Sequence, residues 1–170
     1  MRRLFGLLAL AFAAAAAPAN AQDIRREASP GAPIANSVAL PPGSTIVYVS
    51  GTVPGVADPA APPGSVQRFG DTAAQTRSVL RIIETRLRAH GMTLGDVVMM
   101  RVFLVAPPGQ RQMDFAGMMT AYREFFGTAA QPNVPARSTM AVAGLVDPGW
   151  LVEIEVTAAK AATARSGARR

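Results

Sequence analysis

The nine residues 97–105 read Val-Val-Met-Met-Arg-Val-Phe-Leu-Val, apolar at every position except Arg101 and followed closely by Pro107-Pro108-Gly109. A run this short, stopped by turn residues, is a strand, and because successive side chains alternate between faces, both of its faces are apolar. Such a strand belongs inside a sheet that is covered on both sides. It demands neighbouring strands, a layer of helices on one face and a second cover on the other.

The rest of the chain supplies the first two. Residues 45–49, Thr-Ile-Val-Tyr-Val, form a strand between Gly43-Ser44 and Ser50-Gly51, preceded by a weakly extended stretch at 34–40 that ends in Pro41-Pro42-Gly43. Two more strands are predicted at 138–142 and 151–158, split by the turn Asp147-Pro148-Gly149. The last alternates, with Val152, Ile154 and Val156 on one side and Glu153, Glu155 and Thr157 on the other. A helix is predicted over about 71–90: Thr72 and Gln75 make a capping box, Val79, Ile82, Ile83 and Leu87 share a face, and Gly91 stops it. A second, over about 113–126, has Asp114 as N-cap and Phe115, Met118, Met119, Tyr122, Phe125 and Phe126 on a broad inner face. The proline-rich stretch 52–65 is a long surface loop. Strands before, between and after two helices predict an α+β fold with the helices on one side of the sheet. Two helices cannot cover both faces, so a copy of the same sheet from another subunit is expected to cover the second.

The ends differ from this body. Arg2-Arg3, the apolar run 4–17 and the small residues of Pro18-Ala19-Asn20-Ala21 have the order of a cleaved secretory signal over 1–21. Export to a bacterial periplasm or the exterior is therefore expected, with no stable membrane insertion after cleavage. The globular domain is expected over 22–158 and a disordered basic tail over 159–170. Six of the 17 basic residues lie in the first three and the last eleven positions, which leaves 11 against 11 acidic residues in 22–159. That neutral body argues against a nucleic-acid partner.

Much catalytic chemistry is excluded by what the chain lacks. One histidine and no cysteine leave no zinc or copper constellation, and no glycine-rich strand-to-helix turn offers a phosphate or dinucleotide loop, so no metal or organic cofactor is expected. His90, in the last helical turn, reads as a solvated residue favoured by the helix dipole. Arg137 and the pair Glu153 and Glu155 remain. Arg137, at the mouth of a strand, can grip a carboxylate with two parallel hydrogen bonds or pair with a surface acid. Glu153 can project into a cleft and hold a water as general base, or lie on a solvated strand face.

Five segments, in order across about residues 34–158, carry a resemblance: Tyr48-Val-Ser-Gly51 with Val53-Pro54; Ala89-His-Gly-Met-Thr-Leu-Gly-Asp-Val-Val98; Asp114-Phe115 leading to Tyr122-x-x-Phe125-Phe126; Pro135-Ala-Arg-Ser138; and Val152-Glu-Ile-Glu-Val156. Together they resemble the Rid proteins, the YjgF-like reactive-intermediate deaminases. The resemblance implies a chorismate-mutase-like α+β fold and a homotrimer with sites between subunits. It also implies hydrolysis of small 2-imino or 2-enamino acids to 2-keto acids and ammonia. It puts Arg137 on the substrate carboxylate and Glu153 on the attacking water, with Ser50, Gly51 and Thr139 lining the pocket. Three positions depart from the deaminating members: Ser37 stands for a tyrosine, Met119 for an asparagine and Thr139 for a cysteine. The alternative expectation is a non-catalytic trimeric module that binds small carboxylates.

Overall fold

The computed structural model describes residues 23–162. The expected signal over 1–21 and the last eight residues of the expected tail lie outside them. Strands β1 (Arg25–Glu27) and β2 (Ser37–Ala39) form a small antiparallel ribbon. They are followed by β3 (Thr45–Thr52), α1 (Thr72–Arg88), β4 (Val97–Leu104), α2 (Phe115–Tyr122), β5 (Ala136–Ala141) and β6 (Val152–Lys160). The main sheet has the order β3-β6-β4-β5, antiparallel except where β5 runs parallel to β4. That one parallel pair is closed through α2, as a parallel connection requires a crossover.

Register sorts the side chains. Met100, Val102 and Leu104 of β4 share a face with Val152, Ile154, Val156 and Ala158 of β6, all at most 4% exposed, against Val79, Leu80, Ile83 and Leu87 of α1 and Met118 and Tyr122 of α2. The other face carries Met99, Arg101 and Phe103 of β4 with Glu153, Glu155 and Thr157 of β6. Its rim exposes Tyr48 (77%) and Met140 (37%), and no helix of the described residues covers it.

Both helices lie where the apolar spacing predicts, with different caps and lengths. Asp71, not Thr72, is the N-cap of α1, its carboxylate accepting from Ala74 N–H at 2.8 Å. Gln75 is wholly buried instead of closing a capping box. Its amide donates to the carbonyls of Gly70 and Gly149 at 2.9 Å each, and its oxygen accepts from Leu151 N–H at 2.7 Å. At the far end Gly91, with φ +65°, lets Met92 N–H return to the Leu87 carbonyl, the left-handed stop expected there. Asp114 caps α2 as predicted, but the helix ends at Tyr122, where tighter bonds such as Phe125 N–H to the Tyr122 carbonyl take over. Phe126 still reaches the core and stacks on Tyr122, ring centroids 4.8 Å apart.

Three boundaries move. β5 starts at Ala136, so Arg137 lies within the strand and not at its mouth. β6 continues through Ala159 and Lys160, which pair with Ile46 and Thr45, so the tail cannot begin at 159; Lys160 Nζ also donates to the Gly91 carbonyl. The proline-rich loop runs on to a single 3₁₀ turn, Val66–Arg68, where the Arg68 guanidinium donates to the carbonyls of Pro59 and Ala61 at 3.0 and 3.1 Å and pins it. No described helix is long and apolar enough to cross a membrane.

Candidate functional site

Arg137 pairs in register with Met100 and therefore points to the helix side of the sheet, where α2 receives it. Its Cζ lies 4.4 Å from the ring centroid of Tyr122 and 5.9 Å from that of Phe115, so the cation rests against aromatic faces and not against an acid. Tyr122 is itself fixed, its hydroxyl donating to the Pro33 carbonyl at 2.8 Å. Burial pushes that hydroxyl up to about 12, which keeps it protonated and a donor. Burial also lowers the Arg137 pKa, although a guanidinium remains charged across the physiological range. Thr139, two residues along β5, shares this face. Arg137 Nη1 and Thr139 Oγ1 are both buried and have no hydrogen-bond partner. Two buried, unpartnered polar groups on one strand face, one of them a cation, have the chemistry to hold a carboxylate.

Glu153 stands elsewhere. It pairs with Phe103 of β4 on the open face, beyond the intervening strand. Among the described residues it makes no ion pair, whereas Glu155 is bound to Arg101 at 2.6 Å and is thereby taken out of contention. The register of β3 against β6 shifts between Val49 and Thr52, and this irregularity brings the Gly51 backbone onto the Glu153 carboxylate. A Cβ at Gly51 would fall on the Glu153 Oε1 atom, so only glycine leaves that carboxylate where it is. Ser50 borders a shallow recess of the same face with Tyr48, Arg101, Glu155 and Thr157.

The five predicted residues thus form two groups. Arg137 and Thr139 lie on the helix side of β5; Glu153 and Gly51 meet on the open side of β6 and β3, where Ser50 also lies. One chain does not bring the groups together. Ser37 donates to Glu27 Oε2 at 2.9 Å across the small ribbon and remains exposed, while Met119 is half-buried on α2. Sequence reasoning missed Phe115 and Tyr122 as the seat of the guanidinium, having assigned both to the core. Their spacing of seven residues, two turns along one helix face, was the available signal.

Two helices on one side of a mixed four-stranded sheet define a small α+β domain, and the comparisons narrow this class to a family. The Endoribonuclease L-PSP family model matches residues 30–160. The chain is 35% identical over 122 residues to the 3-aminoacrylate deaminase RutC of Acinetobacter baylyi, covering 72% of this chain and 85% of that protein. It matches Escherichia coli TdcF with bound serine at TM-score 0.54 and 26% identity, over 82% of this chain and 98% of that one. A Rid-family protein, YyfB from Yersinia pestis, gives TM-score 0.61 at 24% identity over 81% and 98%. The chain belongs to this Endoribonuclease L-PSP family, the YjgF or Rid proteins.

Proposed function

We propose that this protein is a hydrolytic deaminase of small 2-imino and 2-enamino acids, acting as a homotrimer with each site shared by two subunits. The observation that carries the reading is that Arg137 Nη1 and Thr139 Oγ1, on one face of β5, are buried without hydrogen-bond partners, as groups that hold a carboxylate would be. Similarity to a 3-aminoacrylate deaminase supports enamine chemistry. The trimer supplies what one chain lacks: it lets the Glu153 group of one subunit face the Arg137 group of the next, and it buries the open sheet face.

In the reaction, an enamino acid first tautomerises to the imine. Arg137 and Thr139 hold its carboxylate, and Glu153 takes a proton as water oxygen bonds to the imine carbon. That proton passes to nitrogen to give a carbinolamine; the remaining hydroxyl proton is then moved to nitrogen as the C=O bond forms and the C–N bond breaks, so ammonia leaves with the 2-keto acid behind. No external redox partner is needed. The family model's description names an endoribonuclease; the balance of 11 basic and 11 acidic residues in 22–159 favours a small substrate over RNA on this reading. On this reading residues 1–21 are a cleaved export signal and the working protein is periplasmic or secreted; fractionation with sequencing of the mature N-terminus tests it.

The unpartnered donors of Arg137 and Thr139 lie on one chain without Glu153, which favours a carboxylate-binding module as the second reading. Glu153→Gln separates the two. Imino acids are generated in situ by an amino-acid oxidase and hydrolysis is measured above the spontaneous rate. The expected result is retained keto-acid binding with hydrolysis slowed about a hundredfold or more. Wild-type protein that binds keto acids yet never exceeds buffer establishes the binding module instead.

A further inference from the structure

We infer that this chain carries a second ligand site, separate from the Arg137 anchor, that takes a small monocarboxylate with an apolar body and holds its charge on Arg123. The site is a recess of about 340 Å³, a size at which small-molecule sites begin. One wall is the N-terminal segment, with Ser29 and Pro33; the other is the stretch after α2, with Arg123, Phe126, Pro132 and Val134. Neither Arg137 nor Thr139 lines it.

The floor belongs to the helix-side core. Phe126 is 2% exposed and Val134 6%, and the Phe126 ring is stacked on Tyr122. Pro33 is tied to the same side chain, because its carbonyl accepts the Tyr122 hydroxyl at 2.8 Å. Both walls are therefore held in place by the fold, which lowers the cost of ordering them around a ligand.

Among the described residues, Ser29 and Arg123 supply the polar side chains of the lining. Arg123 is the C-cap of α2, is exposed, and makes no ion pair among the described residues. The carboxylate next to it in sequence, Glu124, gives both oxygens to Arg77 and leaves Arg123 uncompensated. The helix dipole alone would favour a cation at this end of α2, but here the cation also borders an apolar recess. A carboxylate on Arg123 with a ring or branched body against Pro33 and Phe126 uses both features. A cation would be repelled, and a polyol would give up water for few partners.

The test is a calorimetric titration of the protein with 3-phenylpropanoate, with and without saturating pyruvate. Two controls divide the ligand: 3-phenylpropanamide keeps the body without the charge, and acetate keeps the charge without the body. The acid is expected to bind equally well with pyruvate present, and about tenfold or more tightly than either control. Arg123→Gln should remove its advantage over the amide. Ala32→Phe, which adds a ring to the wall of the recess, should weaken it about tenfold, while Arg137→Lys should leave it unchanged. No binding of the acid, its displacement by pyruvate, its loss in Arg137→Lys, or an affinity unmoved by Arg123→Gln overturns the inference. Pyruvate that fails to bind while the acid behaves as expected strikes the Arg137 anchor and leaves this site standing.

Discussion

Arg137 keeps its charge where burial works against it, and two aromatic rings with no carboxylate hold it there. An acid partner would have satisfied the guanidinium; here Nη1 is left without a partner. Arg137→Lys preserves the charge but loses the two-pronged geometry and the flat stacking surface. Binding of pyruvate or 2-oxobutyrate should weaken by about 1.5–3 kcal/mol, roughly ten- to hundredfold, in calorimetric titration, with the melting temperature nearly unchanged. Equal affinities would return Arg137 to a packing role. Arg137 and Glu153 could be singled out from the sequence because few other reactive side chains exist. The aromatic seat could not, because Phe115 and Tyr122 on an amphipathic helix read as core whether or not a cation lies on them.

At the level of elements, the helix layer is held by two polar devices of different burial. Gln75 joins α1 to the start of β6 through Gly149 and Leu151. Gln75→Leu keeps the volume and strands a buried carbonyl and a buried N–H, so denaturant unfolding should report a loss of about 2–5 kcal/mol. Arg77 joins α1 to the segment after α2, meeting both oxygens of Glu124 at 2.7–2.9 Å in an exposed pair. The hydrogen bond from Arg77 holds the Glu124 carboxyl below its ordinary value of 4.5. Its folded-state value is depressed, so its contribution is present above the unfolded value and lost as pH falls through the folded one. Glu124→Gln should lower the melting temperature at neutral pH, and by progressively less as the pH is taken below the ordinary carboxyl value of 4.5. The strands and helices themselves were legible from hydrophobic period. Their ends were less so, because Asp71 competes successfully with Thr72 for the cap and the buried Gln75 serves the sheet; neither outcome shows in a linear pattern.

For the molecule as a whole, the decisive relation is that Arg137 and Glu153 stand on opposite faces of one sheet. The doubly apolar run at 97–105 pointed to a second cover, and in the fold that face of the sheet lies open with Tyr48 and Met140 at its rim. Alternation along 152–157 already put Glu153 opposite the apolar face, but no sequence pattern reveals the face of Arg137, since that depends on how β5 registers parallel to β4. If sites form between subunits, two inactive variants should rescue each other. Arg137→Ala and Glu153→Gln chains, mixed one to one, denatured and refolded together, should recover about a quarter of the wild-type sites, the statistical share for random trimers. Sedimentation of the mixture should show a single species near three times the chain mass. Monomers, or trimers without rescue, would refute the shared site. If the site is shared, the same division makes dilution an inhibitor: a lone chain with the proposed anchor on one face and the proposed base on the other would be inert, so activity per mole of chain should fall as the protein is diluted below its assembly constant.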